Sequence, residues 1–307
     1  WAAGLAAGMT PEEKRRLLNG AGYFLWQQQS GYYVGNLLAI PRLGIPSVNM
    51  QDTTQGFRTS DPRMVGQVTS WPCPLAVAAT WDANATWRWA QAIGEEFRAK
   101  GANVVLGPGV NVHRVATGGR NAEYISGEDP ALGAPLAAAY VRGMQDGAGV
   151  AAVVKHFVLN QQETHRARVD VRIDERTLWE VYYRPFQAAV DAGAAGVMCS
   201  YNYVNGRQSC ENAETITTDL KGRMGFGGWV MSDWWALLSD RGAASGTDQD
   251  MPGTDRHFSD GVLQSLPAGR VDDMVTRVLL GMSKSSAWRA APRCRVGCDC
   301  ESLLSGA

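Results

Sequence analysis

Gly228-Trp229-Val230-Met231-Ser232-Asp233-Trp234-Trp235 is an apolar, strand-like run that stops at a carboxylate followed by two indoles. Indole faces can stack on the C–H face of a pyranose ring, and an aspartate under the anomeric carbon can attack an oxocarbenium-like centre. A buried tryptophan pair with a helix-capping aspartate is the plainer reading of the same eight residues. The rest of the chain decides between them.

Working outward, short apolar runs alternate with longer amphipathic segments. Expected strands cover 46–50, 75–78, 104–106, 150–154, 196–200 and 229–232, with a weaker one near Gly246; expected helices cover 84–100, 132–146, 174–191, 212–223 and 271–282. This rhythm of βα units predicts an α/β fold of the TIM type, close to a full (β/α)8 barrel over residues 1–282. Asn84 is expected to cap a helix that ends at Lys100-Gly101, and Asp174 one that ends at Ala192-Gly193. Residues 283–307 lose the periodicity and are expected to form an irregular tail outside the core.

Most of the expected strands finish at chemically capable side chains: Asp52, then Asn111 and His113, Lys155-His156, Tyr201-Asn202 and Asp233. In a barrel these ends share one face, where active sites of this architecture lie. Taken singly, Asp52 organises a turn, Lys155 is a solvated charge, His156 and Tyr201 are core residues and Arg120 is a surface cation. Five strand ends that avoid plain hydrophobics are harder to attribute to packing.

Composition narrows the options. A net charge of -1 with 45% hydrophobic residues gives no bias toward nucleic acid or an anionic membrane, and no apolar run reaches the ~20 residues that span a bilayer. The first residue is Trp1, so a processed product or fragment is expected; the sequon Asn84-Ala85-Thr86 leans weakly toward a secreted protein. Cys73, Cys199 and Cys210 are scattered and Cys294, Cys298 and Cys300 crowd the end, a distribution that predicts neither a disulfide framework nor a zinc site. Gly107-Pro108-Gly109-Val110-Asn111-Val112 lacks the third glycine of a dinucleotide fingerprint, and no metal or other cofactor is expected.

Four ordered blocks carry a resemblance. Lys155-His156-Phe157 with Asn160-Gln161-Gln162-Glu163-Thr164-His165-Arg166, Gly118-Gly119-Arg120-Asn121-Ala122-Glu123 with Gly127-Glu128-Asp129-Pro130, Met198 through Gly206, and Met231-Ser232-Asp233-Trp234 resemble glycoside hydrolase family 3, the β-glucosidase-like enzymes. The resemblance runs from about Met9 to Met282. It implies a retaining, exo-acting β-glycosidase of the β-glucosidase or β-xylosidase type, with a carbohydrate as its partner and Asp233 as nucleophile. Asp52, Arg120, Lys155 and His156 would hold hydroxyls of the terminal sugar, Arg166 and Tyr201 would complete the pocket, and Trp234 would line its entrance.

The resemblance also marks a departure. The family's acid/base glutamate comes from a second α/β sandwich domain, and this chain is expected to be a single barrel without it. Loss of general acid help, typically worth about 10²–10⁴-fold, would restrict such a barrel to activated leaving groups. Glu163 and Glu128 are the local carboxylates worth testing in that role. Two other readings compete: a non-catalytic sugar-binding remnant, and a barrel aldolase that uses Lys155 as a Schiff-base lysine.

Overall fold

The computed structural model describes residues 1–25, 28–29, 33–53, 55–58, 62–253 and 256–286. Cys294, Cys298, Cys300 and the remainder of the expected tail from 287 onward lie outside the described residues.

Six strands make one sheet in chain order: β1 (Gly35–Leu37), β2 (Val48–Asp52), β3 (Val104–Leu106), β4 (Ala151–Phe157), β5 (Gly196–Cys199) and β6 (Trp229–Ser232). β1 runs antiparallel to β2, and every later pair is parallel. Helices fill the crossovers: α1 (Ala83–Ala99) before β3, α2 (Pro130–Arg142) before β4, α3 (Arg184–Asp191) before β5, and α4 (Arg270–Met282) after β6. Parallel strands covered by helices must be apolar on both faces, which is why all seven residues of β4 are buried. On α1 the buried Trp89, Ala90, Ile93 and Phe97 recur at helical spacing and turn one stripe inward.

The regular eight-stranded parallel circuit expected from the sequence is not what forms among the described residues: the sheet is mixed and has six strands. It curls, and single bridges lead off both edges, Met231 to Gln249 and Asn36 to Ala21, with Asn19 paired to Asp250 between them. Irregular backbone rather than regular strands therefore spans the gap, and the weak strand expected near Gly246 is reduced to bridges at Gln249 and Asp250.

Three local expectations also change. Residues 75–78 are helical, within Pro74–Ala78, because Pro74 occupies the first helical position, where its fixed φ favours a helix and its missing N–H costs nothing. The cap of α1 is Asp82, whose side chain accepts from the Asn84 and Ala85 N–H groups, so Asn84 is already inside the helix. Strand β2 reaches two residues further than expected and includes Asp52. Asp174 does cap its helix, accepting from Thr177 N–H at 2.9 Å. No described helix is long and apolar enough to cross a membrane.

Candidate active site

The C-terminal ends of β2, β4, β5 and β6 bring Asp52, Lys155, His156, Tyr201 and Asp233 to one edge of the sheet, and the loops after β3 and β4 add Arg120 and Arg166. Asp233 follows β6 directly, and its N–H donates to the Cys199 carbonyl at 3.2 Å, which fixes the new residue against the end of β5. The carboxylate is treated unequally. Oδ1 lies 2.8 Å from Tyr201 Oη and accepts the Trp234 N–H at 2.7 Å. Oδ2 is buried without a hydrogen-bond partner, 3.4 Å from His156 Nε2. Burial pushes the Asp233 carboxyl above its ordinary range, against the opposing pull of the Tyr201 hydrogen bond, Arg120, the Trp234 N–H and Lys155.

Beside it lies a lattice of paired charges. Lys155 Nζ, on a side chain only 3% exposed, sits 2.9 Å from Glu123 Oε1 and 3.3 Å from Asp52 Oδ1. Glu123 also takes a two-point contact from Arg120, Nε to Oε2 at 2.7 Å and Nη2 to Oε1 at 2.9 Å. Burial alone would raise the Glu123 carboxyl and lower the Lys155 amine, but their mutual attraction, with Arg120 and Asp52, wins and holds both charged. Asp52 is tied at the rim by Arg58 Nη1, 3.1 Å from Oδ2. Glu163 Oε1 braces two arginines, Arg120 at 3.5 Å and Arg166 at 3.1 Å, and the Arg166 guanidinium lies 4.2 Å from the centre of the Tyr201 ring.

His156 is held from every side. Asn111 accepts its backbone N–H at 2.7 Å and donates to its carbonyl at 3.0 Å, and Tyr124 Oη sits 2.8 Å from Nδ1. Burial, then Arg120 and Lys155, hold its imidazole well below the usual histidine range, so it is neutral near pH 7. The loop carrying Arg120 crosses close over the one carrying Glu163: a Cβ on Gly119, whose φ is +97°, would meet the Glu163 side chain at 2.9 Å.

Such a cluster offers cationic and anionic partners for several hydroxyls around one carboxylate with a free oxygen. The model of the glycosyl hydrolase family 3 N-terminal domain matches residues 23–276. The chain belongs to glycosyl hydrolase family 3. Among family 3 relatives it is 40% identical to a probable β-glucosidase A of Aspergillus flavus over 92% of this chain and 34% of that one, and 39% identical to a β-glucosidase of Rhizobium radiobacter over the same shares. Among solved structures, a β-D-glucoside glucohydrolase from Trichoderma reesei superposes with a TM-score of 0.87 at 35% identity, covering 96% of this chain and 42% of that one. The β-glucosidase DesR from Streptomyces venezuelae, in complex with D-glucose, gives 0.84 at 34%, covering 99% and 40%. The family 3 chain thus spans well under half the length of these relatives.

Within this family 3 domain the sequence-predicted residues touch one another in a continuous network, and two placements differ from the expectation. Trp234 is buried, with its Nε1 donating to the Val34 carbonyl at 3.1 Å; the half-buried indole at this strand end is Trp235, edge-on to Tyr23 at 5.5 Å. Cys199 and Cys210 form a disulfide, contrary to the expectation of none; among the described residues Cys73 is free. Glu123 and Tyr124 are not singled out by the sequence reading, whereas Asn111, one of its strand-end residues, sits beneath His156. Glu123 stood in a quoted motif, three positions after Arg120 on the same turn, and that spacing was the available signal.

Proposed function

We propose that this domain carries the glycone pocket and nucleophile of a retaining, exo-acting β-glycosidase, acting on a terminal β-linked sugar of gluco or xylo configuration. The observation that carries this reading is the unequal Asp233 carboxylate: Oδ1 is anchored twice, while the partnerless Oδ2 faces the polar cluster. Oδ2 attacks the anomeric carbon, the bond to the aglycone oxygen breaks, and its electron pair leaves with the aglycone, which takes a proton from a general acid. Water then releases the sugar. Asp52, Lys155, Arg120 and His156 bind hydroxyls of the glycone, and Arg166 supports Tyr201.

Glu163 is engaged by two arginines and serves better as a brace than as the acid. The resemblance to family 3 places the proton donor on a second domain, outside this cluster, and aglycones that leave without a proton are the substrates this stretch would handle by itself. A Schiff-base role for Lys155 is disfavoured, because Glu123 and Asp52 keep its amine protonated and unable to attack.

The test is intact-mass spectrometry after incubation with a 2-deoxy-2-fluoroglucosyl donor carrying an activated leaving group. One added fluoroglucosyl group, mapped to Asp233, supports the reading; a folded protein that gains none points to a sugar-binding remnant. Since attack requires the ionised form and burial raises the Asp233 carboxyl, the trapping rate is expected to fall on acidification from a pH above the ordinary aspartate range. Tyr201→Phe removes a hydrogen bond that favours the charged form, so it should move that acidic limb further up, which a rate profile from pH 3 to 8 reads directly.

A further inference from the structure

We infer that the Cys199–Cys210 disulfide is a positioning device for Asp233, fixing the loop that delivers Tyr201 to its Oδ1. The inference rests on the reading of Asp233 as nucleophile, and its geometry is independent of any ligand. Cys199 is the last residue of β5, and its carbonyl already receives the Asp233 N–H. Two residues on, Tyr201 reaches Oδ1, and the loop returns at Cys210; both cysteines are fully buried.

Other ties also hold this loop, some to Val158, Val169 and Val171 after β4 and some to the stretches that follow β5 and β6. Gln208 Nε2 bridges the Ser200 carbonyl at 3.1 Å and the Ala236 carbonyl at 2.9 Å, while its Oε1 accepts the Cys210 N–H at 2.7 Å. Thr247 Oγ1 donates to the Cys210 carbonyl at 2.7 Å. Tyr201 has a choice of acceptors, since Trp234 O lies 3.0 Å from its hydroxyl, close to the 2.8 Å of Oδ1, and one proton serves one of them at a time. A small displacement of the loop is enough to change which is served. Cross-linking the loop's two ends removes the conformations in which that exchange occurs.

The positioning claim is separable from ordinary stabilisation by following the Asp233 carboxyl itself. Its surroundings are Tyr201 from the β5 loop, His156 and Lys155 from β4, and Arg120 from the β3 loop. With 13C-labelled aspartate, and Asp233→Asn to assign the signal, the titration of Asp233 is compared in wild type, the Cys199→Ala/Cys210→Ala pair, Tyr201→Phe and the triple variant. If the disulfide positions Tyr201, the alanine pair moves the Asp233 midpoint upward as Tyr201→Phe does, and adding it to Tyr201→Phe moves the midpoint no further. The trapping rate of the pair should drop by about tenfold or more.

An unmoved midpoint in a protein that merely melts earlier overturns the inference, and so do shifts that add. If the alanine pair does not fold, the same titration is made on wild type reduced by a phosphine in mild denaturant and returned to buffer, with the mass gain of two hydrogens reporting the broken bond. Failure of wild type to form the fluoroglucosyl adduct would count against the nucleophile and leave the titration result standing.

Discussion

Asp233→Asn is expected to remove the fluoroglucosyl adduct and to lower turnover of an activated aryl β-glucoside by about 10⁴-fold or more, the scale on which nucleophile losses are felt. The fold should survive, because asparagine keeps an acceptor at the Oδ1 position for Tyr201 and Trp234 N–H. A loss on that scale corresponds to roughly 5–6 kcal/mol of transition-state stabilisation, more than hydroxyl-binding residues supply singly. The assay is the release of a coloured phenol by purified wild type and variant at matched concentrations, with melting curves as the folding control. A variant that keeps a tenth of wild-type turnover would remove Asp233 from the chemistry.

The second large effect is on stability. Glu123→Ala deletes the carboxylate that Lys155 and Arg120 share, leaving a buried ammonium with Asp52 alone at 3.3 Å. Breaking one partner out of a buried ion pair typically costs about 3–5 kcal/mol, because the remaining charge keeps its desolvation penalty. The expected result is a lower urea midpoint with little change in slope, together with loss of sugar binding. Glu123→Gln should fall between the two, retaining one acceptor oxygen but not the charge. An unchanged midpoint in the alanine variant would mean that the lattice holds the pocket without stabilising the fold.

How far the sequence carried depends on the physics at each place. Strands 104–106 and 229–232 were legible to the residue, since a short apolar run flanked by turn-formers on a helix-covered parallel sheet has few alternatives. The run at 75–78 was not, because apolar periodicity over four residues does not separate strand from helix and the deciding fact was Pro74 one residue upstream. Strand β1, Gly-Asn-Leu, carries no strand signature of its own and exists because β2 offers it an edge.

The site shows the same division. The strand-end pattern found Asp52, Lys155, His156, Tyr201 and Asp233 because chain order and fold place them together. Asn111 stood in that pattern too, and holds one backbone unit of His156; Glu123 escaped it, since its part is visible only through what it holds, a lysine and an arginine. The cysteine pairing escaped for a related reason: with partners 11 positions apart and other cysteines elsewhere, only the return of the loop to the end of β5 selects it.

The burial of the Lys155–Glu123 pair has a consequence for how this domain meets its solvent. Dissolved ions screen charges that water can reach, over about 8–10 Å at ordinary ionic strength, and do so far less for charges sealed from it. The inner anchor, with side chains 3% and 9% exposed, is therefore insulated from brine, while the outer Asp52–Arg58 pair, at 24% and 72%, is not. Salinity thus acts on the doorway and spares the foundation, so the two ends of one pocket answer to different chemical environments.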